Sequence, residues 1–85
     1  MSFINFTFEA RLAKEAADAS IVAVHRKGSR PKMPQVGEAL RFYESGVGDV
    51  RMNVHCIDSQ GGRIVLDASP SDIAQLIEMG WEPLE

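Results

Sequence analysis

Val50 to Ile57 alternates apolar and polar side chains. Val50, Met52, Val54 and Cys56 fall on one face and Arg51, Asn53 and His55 on the other, a period of two that a helix cannot satisfy. Asp58-Ser59-Gln60-Gly61-Gly62 follows, with glycine available for a left-handed turn, and then a second β-prone run from Arg63 to Leu66. A hairpin of 50–57 against 63–66 is therefore the strongest constraint on the fold. It places antiparallel pairing in a chain of 85 residues, too short for two cores. Residues 1–85 are read as one domain.

Around that hairpin the chain divides readily. Phe6 and Phe8 alternate with polar neighbours and predict a short strand within 2–8. From Glu9 to Ala19 the pattern changes: Leu12, Ala13, Ala16 and Ala17 share one helical face, and the run is rich in alanine, so a helix is predicted over 9–19. Ile21 to Val24 reads as a buried strand. Gly28, Pro31 and Pro34 break regular structure and predict an exposed loop over 28–37. Leu40 and Phe42, with Arg41 and Tyr43, form the next strand. Ser69, Pro70 and Asp72 suit the cap and first turn of a helix over 70–79, with Ile73, Leu76 and Ile77 on its apolar face. Gly80 ends that helix, and Trp81 folds back on the core. The expected class is α+β: a small, curled, mostly antiparallel sheet of five short strands, or a partial β-barrel, with two flanking helices.

Composition excludes several functions. One cysteine permits no internal disulfide and fits a reducing, cytoplasmic setting. No apolar run approaches the roughly 18–20 residues that cross a bilayer, and no secretory leader is visible. His25, His55 and Cys56 are too few, and His55 and Cys56 too nearly opposed on a strand, to make a metal site. Cys56 lies on the predicted apolar face, so it is expected to be buried and unreactive. Gly46-Val47-Gly48 lacks the remainder of a phosphate loop. No complete catalytic set and no cofactor motif is present, and a non-catalytic protein is expected.

Charge is unevenly placed. The net charge is −3, yet the segment from His25 to Lys32 holds four of the nine basic residues, Arg26, Lys27, Arg30 and Lys32, and no acid. The stretch from Asp67 to Glu85 holds five acids and no base. A cationic loop beside an arginine–aromatic strand is suited to nucleic acid: Arg26, Lys27, Arg30 and Lys32 on phosphates, Arg41 and Tyr43 on a base. The plainer reading of the same residues is a solvated loop.

The order of these features resembles a known family. An Ile/Val strand ends in His25-Arg26, a basic loop follows, and Val36-Gly37-Glu38-Ala39-Leu40 enters the next strand. Over residues 6–66 this is similar to the ASCH group of PUA-like β-barrels, including small members carried by phages and prophages, with Glu38 where that turn usually has aspartate. The resemblance implies a barrel with a cleft and recognition of RNA or a modified nucleobase. Some members hydrolyse acetylated cytidine with a lysine, a threonine and a glutamate. The corresponding stretch here, Asp18 to Val24, has neither lysine nor threonine, so no catalytic role carries over. Only Arg26 matches a position the family keeps basic. Two functions remain open: a small module that binds RNA or single-stranded nucleic acid weakly, or a phage-type accessory protein that binds and inhibits a host protein.

Overall fold

The computed structural model describes residues 3–13 and 21–84. In chain order the elements are β1 (Ile4–Leu12), β2 (Ala23–Arg30), β3 (Ala39–Glu44), β4 (Gly48–Asp58), β5 (Arg63–Ala68), α1 (Pro70–Glu78) and β6 (Glu82–Pro83). The strands form one six-stranded sheet in the order β3-β4-β5-β1-β2-β6. The β1–β5 pair is parallel and the others antiparallel.

The α+β expectation with two flanking helices is overturned. The described residues are mostly β, with α1 as the one helix among them. Glu9 to Leu12, expected to begin a helix over 9–19, continue β1 instead; the remainder of that expected helix, 14–19, lies outside the described residues. The reason is tertiary. β1 is central, paired with β2 from Ile4↔Arg30 to Arg11↔Ala23 and with β5 from Thr7↔Arg63 to Leu12↔Ala68. Ala10 lies fully buried between Val24 and Leu66, where a small side chain lets the sheet and its covering residues pack closely. Two ladders of hydrogen bonds outweigh the modest helix preference of alanine.

The basic segment is also corrected. Residues 28–30, expected in a loop over 28–37, extend β2 as far as Arg30. Gly28 did not break the strand because the Phe8 ring lies against it: a Cβ at residue 28 would overlap the ring edge. A glycine inside a strand marks such a close approach. Arg30 precedes Pro31, and the proline ring itself pushes the preceding residue toward extended backbone. The strand ends where the proline removes a donor.

The hairpin of β4 on β5 forms as predicted, but with an irregularity. Val54 pairs with Leu66 and Cys56 with Val65, so one extra residue is inserted at His55. Such a bulge interrupts the alternation and sharpens the twist. Val50, Met52 and Val54 stay inside, while Cys56 turns outward and is exposed. The expectation of a buried Cys56 is therefore wrong, because it carried a strict period of two through the bulge.

The sheet curls into a half-barrel. β1 and β3 are separated by β5 and β4, so in a flat sheet their axes would lie about 14 Å apart. Yet the rings of Phe8 on β1 and Phe42 on β3 meet edge to face at 5.2 Å between centroids. Trp81 closes the aromatic cluster, 5.2 Å from Phe42 and 6.3 Å from Phe8. Helix α1 packs against β4, β1 and β2 and inserts Ile73 and Leu76 into the core, joined there by Met79, its C-cap residue. Its start is fixed by a reciprocal cap: Ser69 Oγ accepts from the Asp72 amide at 3.2 Å, and the Ser69 amide donates to Asp72 Oδ2 at 2.9 Å. Gly80, at φ +96°, turns the chain out of the helix so that Trp81 can bury and β6 can pair with β2.

Candidate functional site

The half-barrel does not close. β6 covers only Val24 and His25 of β2, so β2 from Arg26 to Arg30 faces an open seam, with β3 at the other end of the sheet. Register fixes which side chains point into it. Phe6, Phe8 and Ala10 are core residues, and their partners on β2 are Gly28, Arg26 and Val24. Directly opposed residues share a face, so Arg26, Gly28 and Arg30 continue the inner row of Val24. An apolar row thus gives way to two arginines separated by a glycine.

The result is a cleft of about 320 Å³ lined by Phe8, Arg26, Lys27, Gly28, Ser29, Arg30 and Phe42. Phe8 and Phe42 supply apolar surface, and the cations stand around it. Among the described residues, Arg26, Lys27, Arg30 and Lys32 form no ion pair with an acid. Arg30 Nε is buried and has no hydrogen-bond partner among the described residues. Lys27 alternates to the outer face, opposite Thr7, and borders both this cleft and a neighbouring one of about 300 Å³ lined with His25, Arg26, Gly80 and Glu82. Lys32 is exposed on the connection that leaves β2.

Arg41 and Tyr43 are not brought to this cleft. They alternate with the inward Leu40 and Phe42, so they occupy the outer face of β3. Arg41 makes a two-pronged contact with Asp49 across the β3–β4 pair, Nε to Oδ1 at 2.8 Å and Nη2 to Oδ2 at 2.7 Å. Its guanidinium also lies 5.0 Å from the centroid of the Tyr43 ring. The Asp49 hydrogen bond raises the Arg41 pKa, and the same bond holds the Asp49 carboxyl below its ordinary range. The six residues expected to act together thus divide between two faces.

The turn before β3 has a structural task. The Gln35 amide donates to Glu38 Oε1 at 3.1 Å, the Gly37 amide to the Val54 carbonyl at 2.8 Å, and the Val54 amide to the Glu38 carbonyl at 2.9 Å. Gly37 takes φ +89°, which glycine adopts without strain. These bonds start β3 in register on β4 and so carry Phe42 to the seam.

Other polar groups are spread over the outer face. Glu9 is buried there, accepting from Arg11 Nε and lying 3.5 Å from Arg63 Nη1. Arg63 also reaches Asp58, whose carboxyl is held low first by the Gly61 amide and then by Arg63. His55 Nδ1 is 3.3 Å from Asp67 Oδ1. Among the described residues no group of three or more His, Cys, Asp or Glu is placed to hold a metal ion, and no helix is long and apolar enough to cross a membrane.

The aromatic walls of the cleft, Phe8 and Phe42, were not singled out from the sequence. The available signal was Gly28 between Arg26 and Arg30: read as an extended segment, that spacing puts both arginines on one face with a gap between them. Compared with protein-family models, curated proteins and solved structures, the chain shows no significant match.

Proposed function

We propose that this protein is a small, non-catalytic module that binds RNA or single-stranded nucleic acid through the open seam of its half-barrel. The observation that carries the reading is the cleft itself: cations without acidic partners around an apolar floor of Phe8 and Phe42. Single strands are held by a combination of backbone charge and aromatic surface for bases. Arg26, Lys27, Arg30 and Lys32 serve the phosphates. Base contact passes from Arg41 and Tyr43, which face the other way, to Phe8 and Phe42. The sequence resemblance to ASCH-type PUA-like domains points to the same class of ligand, and a curled half-barrel is compatible with a small β-barrel domain. The net charge of −3 makes the attraction local, and weak affinity follows.

The test is a fluorescence-anisotropy titration of random single-stranded RNA and DNA pools across a salt series. If three to four phosphates are engaged, log K should fall against log salt with a slope of about −2 to −3. Replacing Arg26, Lys27, Arg30 and Lys32 together by alanine should bring the slope near zero while the far-ultraviolet spectrum is kept. Absence of salt-sensitive binding to either pool, or a quadruple variant that binds as well as the wild type, refutes the proposal.

A further inference from the structure

We propose that the free edge of β3 is a self-association surface, on which two copies of this chain pair β3 to β3, antiparallel, about a two-fold axis at Phe42. The proposal stands apart from the nucleic-acid reading above, because it uses the main chain and outer face of β3 and none of the cations of β2.

Register shows what this edge offers. β3 ends the sheet, and among the described residues β4 is its one strand neighbour. The Val54 amide donates to the Glu38 carbonyl at 2.9 Å, and the same register runs from Ala39↔Asn53 to Glu44↔Gly48 without a shift. Bonded and non-bonded pairs alternate along an antiparallel ladder, so Leu40, Phe42 and Glu44 spend their main-chain groups on β4. Ala39, Arg41 and Tyr43 point theirs outward, where an added strand bonds them. Tyr43 is 62% exposed, a large aromatic surface that such a strand covers.

The two ends of the sheet are defended unequally. The open part of β2 carries Arg26, Lys27 and Arg30 and stops at Pro31, and β6 covers Val24 and His25. Cations, proline and a short covering strand are the devices that keep a sheet edge from pairing. β3, Ala39–Glu44, has no lysine, proline or bulge. Its one cation, Arg41, is held in a two-pronged contact by Asp49, so its charge is offset.

The side chains select a second copy as the occupant. Opposed residues share a face, so a two-fold pairing centres on Arg41, Phe42 or Tyr43. A centre on Arg41 sets that residue against its own copy, like charge on like. A centre on Tyr43 sets Phe42 against Glu44 and carries Arg41 past the strand to Ser45. A centre on Phe42 sets Arg41 against the partner's Tyr43 on the outer face, once on each side of the axis. Arg41 already lies 5.0 Å from the centroid of its own Tyr43 ring, and a second ring extends that cation–π contact. These are also the residues with free main-chain groups, so each such pair exchanges both hydrogen bonds. Phe42 meets its copy as a close non-bonded pair, the aromatic pairing that favours a ladder. The surface is thus complementary to itself, as a closed two-fold interface requires. A pairing over residues 40–44 is short, so the dimer is weak and reversible.

The experiment is sedimentation equilibrium of the wild type without nucleic acid, from about 10 μM to about 1 mM, where a small interface associates. A reversible monomer–dimer equilibrium is expected. In a dimer of one isotope-labelled and one unlabelled copy, NMR should show a contact between the Hα atoms of Phe42 and its copy, and the Arg41 and Tyr43 amides should gain protection as concentration rises. Tyr43→Lys, which puts a second cation against Arg41, should weaken the dimer at least tenfold with the far-ultraviolet spectrum kept. Tyr43→Pro removes only an outward N–H and should abolish it; if that variant does not fold, Tyr43→Lys decides. Alanine at Arg26, Lys27, Arg30 and Lys32 together should leave association unchanged. A wild type that stays monomeric throughout, whatever foreign strand the edge accepts, overturns the proposal. So does a dimer that Tyr43→Lys leaves intact, that lacks the Phe42 contact, or that the β2 alanine variant loses. Each of these results leaves the nucleic-acid reading to its own salt titration.

Discussion

Trp81 offers a sharp test of how the half-barrel is held. It is buried, edge to face with Phe42 at 5.2 Å and tilted on Phe8 at 6.3 Å. Its Nε1 is buried without a hydrogen-bond partner among the described residues. Trp81→Ala removes a whole aromatic side chain from the junction of β1, β3 and the end of α1. Such truncations cost about 3–5 kcal/mol, a large share of the roughly 4–13 kcal/mol that a domain of this length commands. Trp81→Phe has a different sum. It keeps a ring in the cluster and loses the remainder of the indole, about 1–2 kcal/mol of burial and packing. It also removes an unmet donor, which returns about 1–3 kcal/mol. The two nearly cancel, so Trp81→Phe should lie within about 1 kcal/mol of the wild type while Trp81→Ala loses several times that. Urea unfolding followed by far-ultraviolet circular dichroism, with equal slopes for all three proteins, gives both differences. If Trp81→Phe costs as much as Trp81→Ala, the indole N–H is paired and the reasoning fails; if Trp81→Ala costs under about 1 kcal/mol, Trp81 does not hold the cluster.

Two further outcomes follow from the outer face. Cys56, turned outward by the bulge, should react with a thiol reagent in the native protein at a rate close to that after denaturation; strong native protection would mean that the bulge is misplaced. Asp49 and Asp58 have carboxyl pKa values held below the ordinary range, by the Arg41 hydrogen bond and by the Gly61 amide respectively. A depressed native value favours the ionised form, so its stabilisation is fully present above the ordinary aspartate pKa of about 3.9 and is lost as pH falls through the lower native values. Side-chain carbon titrations should place both midpoints below that value, with Asp49 returning toward it in Arg41→Ala; midpoints at or above it would contradict the pairing.

What the sequence made legible was local. Val50, Met52 and Val54 alternated strictly with polar neighbours and lie on one inner face; Ser69-Pro70-Ser71-Asp72 spelled a helix start, and α1 begins there. The failures came where distant partners decided the outcome. Glu9 to Leu12 have a helical pattern, but β2 and β5 claim both their edges. Gly28 reads as a breaker until Phe8 is known to lie on it. Cys56 followed the alternation of its strand until the bulge at His55 reversed it. The candidate site shows the same limit. The run of basic residues was visible, but their division into an inner pair, Arg26 and Arg30, and an outward Lys27 depends on β2 being a strand. Arg41 and Tyr43 seemed close by sequence and face the opposite side, with Arg41 occupied by Asp49. Phe42 reaches the cleft only because the sheet curls.

The central claim is that ligand binds on the inner seam face, and the most direct measurement is backbone and side-chain shift mapping with a short single-stranded RNA at low ionic strength. The account predicts the largest changes from Arg26 to Arg30 and on the rings of Phe8 and Phe42, with Arg41, Tyr43 and Asp49 little affected. Changes centred on Arg41 and Tyr43, or none along β2, would contradict it.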